Sequence, residues 1–418
     1  MNALVKSATI VDPKSDFHNE TVDILIEKGV ITNISKRISN PKNYKEIKLD
    51  NLHVSQGWFD SSVSFGEPGY EERETIENGL KTAAHSGFTS VAVNANTYPV
   101  IDSNANISFL KLKAGKHATN LYPIGALTRN SEGKDLAELF DMKNAGAVAF
   151  YDYQHPIDNP NLMKLALQYA SNFEGLVCSF PQESEISGLG VMNENVTSTS
   201  LGLKGNPSLA EELQIARDLF ILEYTEGKLH IPTISTAKAV ELIRAAKQNK
   251  LNVTCSVAIH NLIFTDKELV TFDTNFKVLP PLRTQKDVDA LIEGLKDGTI
   301  DMVTSDHNPI DIEDKKIEFD FAKYGTIGLE SAFGALNSVF TIKKTIELLT
   351  KGKQRFGIES SPITIGNKAD LSLFNPNENS IFSREQMISR SKNSMFENKE
   401  LQGIVYGIIA NNKKIISK

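Results

Sequence analysis

Between residues 56 and 345 the chain repeats one pattern: a short apolar run, then a stretch with helical spacing. The strand-like runs are Trp58-Phe59, Ser90–Val93, Leu121–Ala126, Ala147–Phe150, Leu176–Phe180, Leu229–Ile234, Val253–Val257 and Met302–Ser305. Helical signals separate them. Ser208 with Glu211 spells a capping box ahead of Leu213–Ala216, and Thr284 opens a helix that Gly298 ends. Eight strands alternating with helices predict an α/β fold built as a (β/α)8 barrel.

The two ends of the chain read differently. Ala8–Pro13, Val22–Ile26 and Val30–Ile34 are strand-like, and Glu27-Lys28-Gly29 is a hairpin turn between the last two. Asp370–Phe374, Ile404–Ala410 and Lys414–Ile416 repeat this at the C-terminus, with Asn411-Asn412-Lys413 as a turn. The expectation is a small β-sandwich domain made from residues 1–55 and 346–418, beside a barrel over 56–345.

Composition narrows the function. A net charge of −7 without any basic cluster argues against a nucleic-acid binder. No apolar run approaches the ~20 residues of a membrane-spanning helix, and Met1–Lys6 lacks the apolar core of a signal peptide. Cys178 and Cys255 lie in or beside apolar runs, as buried reduced thiols of a cytoplasmic protein do.

Chemistry in such barrels sits at the C-terminal ends of the strands. The first strand leads into Asp60-Ser61-Ser62-Val63-Ser64-Phe65-Gly66-Glu67-Pro68-Gly69. Ser62 and Ser64 share one face of an extended chain, since side chains alternate with period 2. Further on come Glu74-Thr75, Gly79, Ser86-Gly87-Phe88-Thr89 and Asn96-Thr97-Tyr98-Pro99. In order and spacing this frame resembles the dihydroorotases of the amidohydrolase superfamily, class I type. That family reads H-x-H-x-R-E-P-G-x-E, then E-T-x-x-x-G, G-F-T and P-N-T-x-P. The resemblance covers essentially the whole chain, through Val278–Arg283, Gly325–Ala332 and Gly366–Leu371.

The resemblance implies zinc held by histidines and aspartates, an aspartate base and a clamp for the substrate. Ser62 and Ser64 replace the H-x-H pair, Pro181 the strand-5 histidine and Thr233 the strand-6 histidine; Asp152 matches a retained ligand position. Asp306 matches the general base and Asn96 a substrate-binding Asn. Gly66, Leu279 and Ile310 replace clamp residues. Serine is a poor zinc ligand and proline none, so no metal is expected here, whereas active relatives use zinc. Opening an amide ring near neutral pH calls for a metal that acidifies water and polarises the carbonyl.

By this resemblance the chain is a non-catalytic homologue in pyrimidine biosynthesis. It would be a homodimer and a structural partner of aspartate carbamoyltransferase, like members that lack the H-x-H pair. Two other readings stay open. One is an active cyclic-amide hydrolase whose metal site is rebuilt from Asp152, Asp306, His260 and His307. The other is a binding protein whose pocket is lined by the serines, Thr233, Leu279, Ile310 and Tyr153. His230, earlier in its strand, reads as a core histidine.

Overall fold

A computed structural model describes residues 1–417. All eight expected barrel strands are present: Trp58–Val63, Phe88–Val93, Asn120–Gly125, Ala149–Phe150, Val177–Cys178, Leu229–Ile231, Val253–Ala258 and Met302–Thr304. Each pairs in parallel with the next, in chain order. Helices follow them, among them Ile76–His85, Asn104–Ala114, Pro160–Ser171, Ser208–Thr225, Ala237–Gln248 and Gln285–Lys296. This is the (β/α)8 architecture, with a β domain attached.

The barrel closes through side chains more than through a ladder. The first and last strands share one parallel bridge, Val63 to His307, with the Ser64 amide donating to the His307 carbonyl at 2.7 Å. Below it, the buried Asp60 carboxylate accepts from the Thr304 hydroxyl, from the Ser305 amide at 2.9 Å and from the Ser62 amide at 3.1 Å. Three donors from two strands converge on one charge, and charge-assisted bonds of this kind are the strong ones.

The terminal strands join into a separate eight-stranded sheet. Ala3–Ile10 runs antiparallel to Thr21–Glu27 and parallel to Lys45–Ile47 and His53–Gln56. Leu371–Ile381 pairs with His53–Gln56 on one side and Glu400–Ala410 on the other. The first strand begins earlier than the sequence suggests and ends sooner. Ser7, at φ 51°, makes a bulge that hides Ala3–Val5 from a period-2 reading. Asp12 then leaves the ladder, because its side chain accepts from Lys14 and Ile363 amides. Trp58, the one tryptophan, joins sheet to barrel: it is fully buried, stacks on Phe333 at 5.0 Å and meets Phe374 at 5.6 Å.

The capping box at Ser208 does not form. Pro207 is the N-cap and no side chain caps this helix. Glu211 instead accepts from the Ser235 and Thr236 amides at 2.7 and 3.0 Å, buried near Arg283. The turn after strand 6 outcompetes the local cap. Thr284 does cap its helix, in a box with Asp287.

Replacing Asp60 with alanine leaves the Ser305 amide buried without an acceptor and the Thr304 hydroxyl with only the Ser62 carbonyl at 3.2 Å. The expected loss is about 3 kcal/mol. Chemical denaturation followed by Trp58 fluorescence measures it; an unchanged midpoint would remove Asp60 from the closure.

Candidate functional site

The strand ends converge on Asp306. Its backbone stands at φ 45°, in the left-handed region, as do Tyr153 at 53° and Thr233 at 51° at the ends of strands 4 and 6. Non-glycine residues rarely stay there, and such positions gather at functional sites.

Ser62 donates to the Asp306 carboxylate at 2.9 Å, and the Tyr153 hydroxyl lies 3.4 Å from the same oxygen. Asn94, two residues before Asn96, donates to both Ser62 and Ser64, at 3.1 and 3.3 Å. The two serines do share a face, as their spacing demands. They form a linked polar network where the resemblance implies a zinc centre, in which only the Asn94 Oδ1 stays without a partner. Ser62, Ser64, Pro181, Thr233 and Asp306 are all buried.

Asp152 keeps its type but not its direction. Its oxygens accept from the Leu127 amide at 2.7 Å, the Thr128 amide at 2.9 Å and the Thr128 hydroxyl. They are committed to the loop after strand 3. His307 accepts on Nδ1 from the Gly328 amide at 3.2 Å, and the next contact is Leu329 at 3.4 Å. The glycine-rich motif thus wraps this histidine: a Cβ at Gly328 would stand 2.4 Å from the Ser305 carbonyl oxygen. His230 is satisfied in the core by Thr254 and Ser256, at 2.9 and 3.2 Å. His260 is buried, with its Nε2 unpartnered. Burial holds all three histidines down at about 3, hence neutral.

Among the described residues, no three His, Cys, Asp or Glu side chains gather as a metal site requires. The donor chemistry does not fit zinc: two neutral hydroxyls, a proline, a threonine, and a carboxylate already saturated by three donors. The regrouping of Asp152, Asp306, His260 and His307 imagined from sequence does not occur.

Above this network lies a cavity of about 1150 Å³, lined in part by Arg73, Asn96, Tyr153, Gln154, Leu279 and Ile310. Tyr153 and Leu279 are buried in its wall, and Gln154 donates to the Leu279 carbonyl at 2.8 Å, tying strand 4 to the loop beyond strand 7. The serines and Thr233 do not line it, contrary to the expectation, whereas Tyr153 both lines it and reaches Asp306. Asn96 does line it, with a buried Oδ1 that has no partner. Gly66 cannot serve as a clamp even sterically: a Cβ there would lie 1.8 Å from the Tyr70 carbonyl oxygen.

Three residues escaped the sequence reading. Asn94 lacked any motif, although it follows strand 2 directly and stands beside Asn96. Tyr153 looked like mere lining. Asn393, on a C-terminal excursion, donates to Asn308 and Gly325 carbonyls and accepts from the Ile310 amide, pinning the loop after strand 8.

Burial lifts the Asp306 carboxyl from its usual 3.8 to about 7; the nearby Asp60 adds to the rise, and the Ser62 and Tyr153 hydrogen bonds oppose it. Folding therefore takes up a proton between these two values. Stability from this group is fully present below about pH 4 and is lost as pH rises through 7. Asp306→Asn should flatten that part of the stability–pH curve. Denaturant midpoints of both proteins from pH 4 to 8 test it, and parallel curves would show that Asp306 does not titrate there.

The comparisons agree with this frame. Residues 53–239 match the family model described as dihydro-orotase-like. The dihydroorotase of Acetivibrio thermocellus is 39% identical, over 99% of this chain and 98% of that protein. The dihydroorotase of Ruminiclostridium cellulolyticum is 40% identical, over the full length of both. Among solved structures, the L-hydantoinase of Arthrobacter aurescens superimposes with a TM-score of 0.86 over 100% of this chain and 97% of that one, at 20% identity. A D-hydantoinase from Thermus sp. gives 0.82 at 21% identity, over 100% and 97%. At such identities these structures speak for the fold alone. The full-length relatives show the family, and the chain belongs to the dihydroorotase-like proteins.

Proposed function

We propose that this chain is a dihydroorotase homologue of pyrimidine biosynthesis that has lost hydrolysis and acts as a structural partner of aspartate carbamoyltransferase. One observation carries the reading. Where the resemblance implies zinc, Ser62 and Tyr153 engage Asp306, and the Asn94 amide group donates to Ser62 and Ser64. Asp306 is a vestigial base: its carboxylate is occupied by Ser62 and covered by Tyr153. Asn96 is a vestigial substrate contact at the cavity wall. The protein functions as a cytoplasmic homodimer, with a β domain of residues 1–55 and 346–418 holding a barrel of 56–345. Among the described residues no helix is long and apolar enough to cross a membrane.

An active cyclic-amide hydrolase is the competing reading. A large cavity at the barrel mouth and a carboxyl that titrates near 7 favour it. The buried position of Asp306 beneath Tyr153 argues against it, because a general base must come within hydrogen-bond reach of the proton it takes.

Dihydroorotate turnover by the purified protein, in both directions and with and without added zinc, separates the two. The expected result is no turnover in any condition, together with co-elution of the chain and the same organism's carbamoyltransferase on a sizing column. Zinc-dependent turnover abolished by Asp306→Ala would establish the hydrolase. Separate elution would remove the structural partnership.

A further inference from the structure

Many surface lysines of this chain stand beside a carboxylate. Lys113, on helix Asn104–Ala114, meets Glu67 at 2.9 Å, and Lys134 and Lys238 pair with Glu132 and Glu241 in the same way. One group does not. Past the end of that helix, Lys111, Lys116 and His117 share a cavity of about 540 Å³ with Asn411, Asn412 and Lys413 at the turn of the C-terminal hairpin. Among the described residues that line it, four can carry positive charge and none is acidic. The fold assembles this group, which the linear sequence does not show. Lys413 joins from 297 positions away, its Nζ donating to the Lys116 carbonyl.

Such a gathering is unusual in a chain with a net charge of −7. Cations set together without acids repel one another. His117 feels it: burial first, and then Lys413, hold its imidazole below the usual value, with Glu77 opposing.

The donors here are tethered but not used up. Lys111 gives one N–H to the Ala145 carbonyl at 3.1 Å and keeps two. Lys413 likewise keeps two, and Lys116 meets no side-chain partner among the described residues. The Thr119 amide approaches His117 Nδ1 at 3.4 Å, which leaves the proton of the neutral ring on Nε2. Asn411 donates to Asn120 Oδ1 at 2.8 Å, so Asn120 keeps its amide N–H groups to give.

A lining of donors without a carboxylate suits a group with several anionic oxygens. A phosphoryl group supplies three strong acceptors and up to two negative charges, and lysine is a common partner for it. The volume lies within the roughly 300–1,000 Å³ of small-molecule sites. The negative charge of the whole chain disfavours a long polyanion such as nucleic acid.

We propose that the cavity between residues 111–121 and the turn at Asn411–Lys413 binds the phosphoryl group of a small molecule. Inorganic phosphate and a phosphate ester both present that group. One wall belongs to the barrel and the other to the terminal sheet, so the bound anion bridges the two. The site shares no residue with the cavity at the barrel mouth and does not rest on the functional reading above.

Isothermal titration calorimetry on the full chain tests this, with inorganic phosphate, adenosine 5′-monophosphate and adenosine as titrants. At least one of the two phosphate compounds is expected to bind at a single site, the tighter one naming the source, and adenosine is expected not to bind. Lys116→Glu should weaken that binding at least about 10-fold. Lys111→Glu should do the same, and serves if the first variant folds poorly. Lys204→Glu, which reverses a charge at the barrel mouth, should leave the affinity unchanged. No binding of either phosphate compound at millimolar concentration would overturn the site. So would adenosine binding as tightly as its phosphate, affinity undiminished in the Lys116 and Lys111 variants, or affinity lost in Lys204→Glu.

Discussion

Asp60 is the constraint on which the barrel depends. A sheet of eight parallel strands closes only if its first strand finds its last, and here the backbone supplies a single bridge. The carboxylate completes the seam by drawing Thr304, Ser305 and Ser62 onto one buried charge. Its position fixes where Ser62 stands, and hence what Asp306 can bond. The same closure holds Trp58 beneath the terminal sheet, so the seam and the docking of the β domain share one strand. Burial raises the Asp60 carboxyl, and its three hydrogen bonds counter that rise.

Around this seam the strand ends converge on hydrogen bonds among short polar side chains. A metal centre requires donors whose lone pairs point at an empty point in space. In this network the hydroxyls and the carboxylate find protein partners, because an unpaired buried group is costly, and only the Asn94 Oδ1 stays unpaired. Serine and asparagine suit such a network because they are short, neutral and able both to give and to accept. Tyr153 joins this network. The residue lines the cavity, and its hydroxyl lies 3.4 Å from the Asp306 carboxylate. Burial pushes that hydroxyl well above its usual range, so it stays a donor.

Much of the architecture was legible in the chain because its signals are local. Apolar runs of four to six residues, separated by helical stretches, yield the strands directly, and Thr284 with Asp287 announces a helix start. What failed was non-local. Glu211 has the spacing of a cap but serves a turn that its helix only meets in three dimensions. Ser7 breaks a strand register with one bulge that no composition rule marks. At the site, motif frames located Asp306, Ser62, Ser64 and Asn96, since losses within a fixed frame are readable position by position. The directions of Asp152 and Tyr153 were not readable. Direction depends on which donors surround a side chain, and those of Asp152 come from a loop some twenty-five residues away.

The tight bend at Gly66 sets what the loop after strand 1 can carry. Its amide donates to the Glu74 carbonyl at 3.0 Å and its carbonyl accepts from Tyr70 at 2.8 Å, so the loop has closed over the place where a side chain would leave the backbone. A single codon change toward arginine would meet the Tyr70 carbonyl before reaching any ligand. Any side chain at residue 66 therefore demands that the backbone of residues 66–74 move first, so a substitution there reads out the stiffness of the loop before it reads out the chemistry of the cavity beside it.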